Sequence, residues 1–273
     1  MRMDKSIVFI HGAWVTPLCW EKFIPYFEQR GYRTLAPPWP GKEASVEQQR
    51  RAPAPRLRGL GIGDIVDHYG ALIQGLSDRP LLIGHSFGGL FVQLLLDRGL
   101  GSAGVAIDSA PPKGIFAFYP TAFRSLGRVI TTWKGWDRIL TMPFSDFRYA
   151  FLNAVPAEEQ RAIYDRHVVP ETGRVFFQTA LSPVSSGSPT RVNFRNKARP
   201  PLLLIAGGSD HIVPPQINRT NYRKYRATPG MVAFKEFPGR GHWIIAQDGW
   251  EEVAETIAEW ISALPPNLDA GPA

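Results

Sequence analysis

One cysteine, Cys19, stands in 273 residues. That excludes an internal disulfide framework and any cysteine-built metal centre. Its expected place is the apolar face of a helix. No apolar run is long enough to cross a membrane. The first, residues 7–10 behind Arg2 and Lys5, is also too short for the core of a secretory signal. A cytoplasmic protein is the expectation. No internal repeat is present, which sets aside solenoids and propellers. There is no basic stripe with interleaved aromatics either. The formal charge is +7, but the residues that carry it are scattered apart from one loop, so neither nucleic acid nor a membrane is expected as a partner. What the chain does have is 44% hydrophobic and 20% charged residues, enough apolar surface for a sizeable core, in one domain with an insertion or in two small ones.

One stretch organises the rest. Residues 80–83 read as a buried strand and residues 90–96 as a buried helix. Between them lies Gly84-His85-Ser86-Phe87-Gly88-Gly89, the G-x-S-x-G pattern of a nucleophile elbow in the strand–turn–helix context that it demands. Side chains at 84 and 88 would collide with the neighbouring strand and helix, so glycine is required there. The serine hydroxyl is then held out at the top of a sheet, over a helix N-terminus that favours negative charge.

Around the elbow the chain alternates. Residues 6–10 form a β-branched and aromatic run closed by His11-Gly12, a buried strand. Residues 17–30 carry apolar positions at helical spacing, with Gly31 as C-cap, and residues 32–36 form the next strand. Residues 39–63 hold Arg50, Arg51, Arg56 and Arg58 among prolines and glycines. They read as a long surface loop whose arginines form a solvated face. Asp64 is expected to N-cap a helix over 64–76. Residues 103–107 are a further strand, ending at Asp108. This rhythm predicts a parallel sheet wound on both faces. It breaks over 113–199, where aromatics crowd, no clear strand appears and short helices fit, notably 156–167. That segment is expected as a helical insertion whose underside lines a pocket, with Trp133 and Trp136 as substrate-contacting candidates beside Trp14. The sheet resumes over 201–206. A helix over 214–226, a last strand over 231–237 and a closing helix over 248–263 follow, with a Pro-rich tail over 265–273 expected to be disordered.

A serine hydroxyl is a poor nucleophile until a base takes its proton and a third group fixes that base. Of six histidines, His242 lies in a Gly-rich loop beyond the last strand, at the end of the sheet where ligands bind, and comes last in chain order. It is the candidate base. His85 belongs to the elbow and should point away from the pocket; His11 should brace loops. Asp210, in Gly207-Gly208-Ser209-Asp210, is the preferred acid, with Asp108 as the alternative. Two backbone N–H groups would hold an oxyanion: Phe87, after the nucleophile, and Ala13, with Trp14 as alternate, on the loop after the first strand.

Taken together, His11-Gly12, the elbow, Gly208-Ser209-Asp210 with Ile212-Val213-Pro214, and Gly241-His242 resemble the α/β-hydrolase family over roughly residues 5–112 and 200–263. The resemblance implies an α/β-hydrolase fold: a mostly parallel twisted sheet with helices on both faces (residues 1–112 and 200–264) and a helical cap or lid (113–199). It implies a serine hydrolase of the esterase, lipase or lactonase kind that uses no cofactor and no metal and acts on a small-molecule substrate. A homodimer is compatible with this. Pro38-Trp39-Pro40-Gly41 lacks the Asp or second Gly often found nearby in relatives. Alternatives with the same triad are carbon–carbon bond hydrolysis or perhydrolysis, and from another class a non-catalytic ligand receptor on the same fold. Serine at 86 argues against epoxide hydrolases and dehalogenases, which resemble this fold but use an aspartate there.

Overall fold

Six of the apolar runs become strands of one parallel sheet. The computed structural model describes residues 5–115, 118–226 and 231–265. β1 (Ser6–Ile10) leads through α1 (Phe23–Glu28) to an edge strand, β2 (Arg33–Leu35). Next, α2 (Val46–Arg51) and α3 (Ile62–Gln74) precede β3 (Leu81–His85), which turns into α4 (Phe87–Asp97) and returns as β4 (Ala103–Ile107). A long segment follows: α5 (Pro120–Thr131), β5 (Ile139–Leu140), α6 (Phe144–Ala150), α7 (Ala157–His167), β6 (Glu171–Thr172) and α8 (Arg174–Ala180). The sheet then closes with β7 (Leu202–Gly207), α9 (Pro215–Arg226), β8 (Val232–Phe237) and α10 (Trp250–Ser262).

The strand order is β2-β1-β3-β4-β7-β8, and every neighbouring pair is parallel. The central strands β1, β3, β4 and β7 are buried at every residue. That is why they read as continuous apolar runs rather than alternating ones: helices cover both faces. The chain winds outward from β1 to β2 and then starts again on the other side of β1. This reversal opens a crevice beyond the carboxyl ends of β1 and β3, where ligands of open parallel sheets bind. Ten of the eleven residues of α4 are buried. Truncating a fully buried leucine there, such as Leu90 or Leu95, is worth about 2–5 kcal/mol.

Several expectations are corrected. The helix expected over 17–30 is two pieces, a 3-10 turn at Pro17–Trp20 and then α1. Pro25 has no N–H to donate and its ring clashes one turn back, so it is tolerated only in the first turn of α1. Cys19 is buried, as expected, but in the 3-10 turn. The stretch 39–63 is no open loop. It contains α2, started by a capping box between Ser45 and Gln48, and a 3-10 turn at Pro55–Leu57. Its Trp39 and Lys42 are fully buried. Its four arginines are exposed, as expected of a solvated face, and some of them also make contacts. Arg50 donates to the carbonyls of Tyr164, Asp165 and Val168 at the end of α7, and Arg58 pairs with Asp137. α3 starts two residues before Asp64, whose carboxylate accepts the Gly61 N–H instead of standing at the N-cap. The segment between β4 and β7 does contain strand: β5 and β6 pair antiparallel. The tail beyond residue 265 lies outside the described residues.

Candidate active site

The site is built at the carboxyl ends of β1, β3, β7 and β8. Between β3 and α4 the turn is so tight that a Cβ on Gly84 would lie 2.2 Å from the Gly88 carbonyl oxygen, and one on Gly88 would lie 2.0 Å from that of Ile10. Ser86 therefore sits at φ 59°, ψ −120°, in the left-handed half of the map that a non-glycine residue enters only under constraint. The constraint is visible: its N–H donates to the Ile107 carbonyl and its own carbonyl accepts from Gly89, Leu90 and Ala110. The loop after β1 packs directly on it, since a Cβ on Gly12 would come within 2.7 Å of the Ser86 Cβ.

Ser86 faces a cavity of about 360 Å³. Ala13 and Phe87 line it, as does Trp14, while the far wall comes from α5 and α8. The polar side chains in the lining are Ser86, Thr179, Ser182 and the Trp14 indole; none is charged. The N–H groups of Ala13 and Phe87 donate to no protein acceptor among the described residues. The Trp14 N–H is spent on the Glu171 carboxylate at 3.1 Å, which removes it as the alternate oxyanion donor.

His242 and Asp210 are brought together. The imidazole Nδ1 lies 2.6 Å from Asp210 Oδ2, while Asp210 Oδ1 accepts the N–H groups of Ile212 and Val213 at 2.8 Å each. An ionised Asp210 accepts the Nδ1 proton, which leaves Nε2 as the basic nitrogen. Nε2 is buried and has no hydrogen-bond partner, so no bond joins it to the Ser86 hydroxyl in this state; such bonds are often long or misaligned without substrate. The His242 ring lies between the edge of Phe151 and the ring of His85, each 4.6 Å away centroid to centroid. Burial lowers its pKa to about 3. His85, as expected, turns from the cavity and donates Nε2–H to the His242 carbonyl at 2.8 Å. His11 braces loops: it stacks on Trp39 and accepts the Trp39 N–H.

Asp108 is the neighbour the sequence left as runner-up acid. It too has a positive φ, of 44°. Its Oδ1 accepts the Gly207 N–H at 2.7 Å, and its carboxyl interacts with that of Asp210. Burial pushes both carboxyls up. Two adjacent buried carboxyls cannot both be ionised. Asp210 accepts three hydrogen bonds and Asp108 one, so the charge rests on Asp210 and the proton on Asp108. His85, Asp108 and His242 each offer a ligand atom within 4.8 Å of the others, the one grouping of metal-ligand type among the described residues. One nitrogen of each histidine is already committed, to a backbone carbonyl and to Asp210.

A model of the alpha/beta hydrolase family matches residues 7–256. The chain belongs to that family. No curated protein matches it by sequence. Among solved structures, this alpha/beta hydrolase is similar to a pyrethroid hydrolase from Sphingobium faniae (19% identity, TM-score 0.65, covering 96% of this chain and 98% of the other). It is also similar to a monoacylglycerol lipase from Paleococcus ferrophilus (21%, 0.65, 95% and 96%) and to a methylesterase from Arabidopsis (15%, 0.65, 95% and 100%). At these identities the likeness is one of fold.

Two expected site residues of this alpha/beta hydrolase are not where the sequence put them. Trp133 is 75% exposed and Trp136 45% exposed, and neither lines the cavity. The inward stripe of α5 is Ala122, Leu126 and Ile130, one helical turn apart, and Trp133 lies beyond its end. Trp136 packs its edge on Phe177 instead. Sequence reasoning missed Glu171 and Lys42. Lys42 stands in a polar run beside Glu43, and Glu171 is followed by Thr172, Gly173 and Arg174, so no local signal set either apart.

Proposed function

We propose that this alpha/beta hydrolase cleaves a carboxylic ester or lactone of a small, largely apolar substrate through an acyl-enzyme. Ser86 is the nucleophile, His242 the base and then the acid, and Asp210 the group that fixes the imidazole tautomer. The Ala13 and Phe87 N–H groups stabilise the oxyanion. The observation that carries the reading is a strained serine at the floor of an apolar cavity, in a chain that also holds a buried His242–Asp210 pair. A cavity with no charged lining favours a substrate neutral on both sides of its carbonyl, because an ionised group moved there would lose its hydration without gaining a partner. Trp14 is the substrate-contacting residue of the core: it lines the cavity with its ring stacked on Phe176. Residues 113–199, carrying α5 and α8, act as the cap over the acyl group. Two of the three structural neighbours bear the names of ester-cleaving enzymes, a lipase and a methylesterase.

In the reaction, the Ser86 oxygen attacks the carbonyl while its proton passes to His242 Nε2. The proton then leaves on the alkoxide, and water, deprotonated by the same nitrogen, releases the acid. The test is turnover of p-nitrophenyl esters of graded acyl length. Ser86→Ala is expected to lose at least about 10³-fold in kcat while the protein stays folded. Full activity in that variant removes the serine from the mechanism. Absence of fluorophosphonate labelling at Ser86 in the unmodified protein would favour the ligand-receptor reading.

A further inference from the structure

Trp14, next to the proposed oxyanion donor Ala13, holds a bulky side chain at φ 61°, a strained conformation. Nothing in β1 or its own loop secures it. Its N–H donates to Glu171 Oε2 at 3.1 Å and its carbonyl accepts the Val169 N–H at 2.8 Å. Its ring stacks on Phe176 at 4.3 Å. All three partners come from the segment between β4 and β7. Glu171 is in turn tied down: Oε1 accepts the Thr172 N–H at 2.8 Å, and Oε2 receives Lys42 Nζ at 2.6 Å. Both side chains of this ion pair are fully buried.

A buried ion pair is weak evidence for stability, since desolvation offsets the attraction. Its effect here is conformational. An ionised carboxylate only accepts hydrogen bonds. The Ala13–Trp14 peptide is planar, so the two ends of its dipole point opposite ways. Turning that peptide over would aim the Ala13 carbonyl at the Glu171 carboxylate, oxygen against oxygen, and lose the one bond to the Trp14 N–H. From this geometry we infer that Glu171 is a positioning residue for the oxyanion site: by holding the Ala13–Trp14 peptide it fixes the strained backbone of Trp14, and so the course of the loop whose preceding Gly12–Ala13 peptide presents the Ala13 N–H beside Ser86, with Lys42 as the buried counter-charge. The inference rests on the function proposed above. It places control of the oxyanion donor in the same segment whose α8 lines the cavity.

The decisive comparison uses two variants without the buried charges, because replacing such a pair by uncharged residues of similar size is usually tolerated. Lys42→Met with Glu171→Gln keeps an oxygen acceptor for the Trp14 N–H. Lys42→Met with Glu171→Leu does not. Both are read by ester kcat and KM, by the rate of fluorophosphonate labelling, and by affinity for an aryl trifluoromethyl ketone against the matching alcohol. The ketone forms a serine-bound oxyanion and the alcohol does not. The glutamine pair is expected within about tenfold of the parent. The leucine pair is expected to lose about 10²–10³-fold in kcat, the cost of one oxyanion donor, with KM nearly unchanged. Its ketone affinity and labelling rate should fall in step while alcohol affinity holds. Parent-like kcat in the leucine pair overturns the inference, as does a loss in which ketone and alcohol affinities fall together. Ser86→Ala keeps the two failures apart: full ester turnover in that variant defeats the underlying function, whereas an inactive Ser86→Ala beside an unimpaired leucine pair defeats only the role of Glu171.

Discussion

Asp108 and Asp210 lie side by side, and their chemistry is opposite. Asp210 is placed to accept the His242 Nδ1 proton and takes two backbone N–H bonds as well, so an amide there reverses the polarity facing the imidazole. Asp210→Asn is expected to cost about 10³–10⁴-fold in kcat, because the wrong tautomer of His242 is favoured and Nε2 no longer accepts the serine proton. Asp108 carries a proton already, so Asp108→Asn replaces one neutral group by another of the same shape. Its expected cost is under about tenfold, since the Gly207 N–H keeps its acceptor oxygen. Measuring kcat for the two variants on one ester settles the assignment. A larger loss at 108 than at 210 would exchange their roles. Sequence order alone ranked the two carboxylates. The reason that they divide the work is the number of hydrogen bonds each accepts, which depends on how the loops after β4 and β7 meet.

At the scale of elements, the loop between β2 and α3 is a strap. Arg50 reaches across to three carbonyls at the carboxyl end of α7, where a helix leaves its last C=O groups without partners and its dipole favours a cation. Arg50→Ala is expected to cost about 1–3 kcal/mol, the range for losing charged hydrogen bonds to backbone acceptors. Amide exchange in residues 157–169 should quicken more than in β3 or β4. A uniform change across the chain would count against the strap. The capping box between Ser45 and Gln48 is a local pattern, but the prolines and glycines around it favour a loop reading. The docking of Arg50 on α7 was not legible in the sequence, because 114–118 residues separate the partners and no local pattern encodes it.

Across the whole molecule, four histidines are buried in neutral form. Burial lowers His11 and His85 well below the usual value, His167 to about 4 and His242 to about 3. In the unfolded chain each titrates near ~6.5. Between these values the unfolded state binds more protons than the folded one, so this stability is fully present above ~6.5 and is lost as pH falls towards 4. Each imidazole contributes a slope of up to about 1.4 kcal/mol per pH unit. The adjacent carboxyls Asp108 and Asp210, raised by burial, act with the opposite sign, with the proton held on Asp108 in the folded state above ~3.9. That one proton opposes four imidazoles, so the thermal midpoint is expected to fall from pH 7 to pH 4.5. The fall should be shallower in His167→Gln, which removes one of the four and leaves the cavity untouched. A midpoint independent of pH over that range, or an unchanged slope in the variant, would contradict the account.

The sequence determined whatever depends on neighbours along the chain. The buried strands, the glycines at 84 and 88 that permit the turn at Ser86, and the order of Ser86, Asp210 and His242 were all readable from local pattern, and the family they indicated is the one the chain belongs to. What tertiary structure decided depends on distant segments arriving at one place. Trp133 and Trp136 carried apolar bulk but no information on which way α5 would turn its stripe, and they finished in solvent. Lys42 and Glu171 read as ordinary charges until folding brought them together across 129 residues and removed both from water. A periodic pattern fixes which face of an element is apolar, but only packing fixes what that face meets.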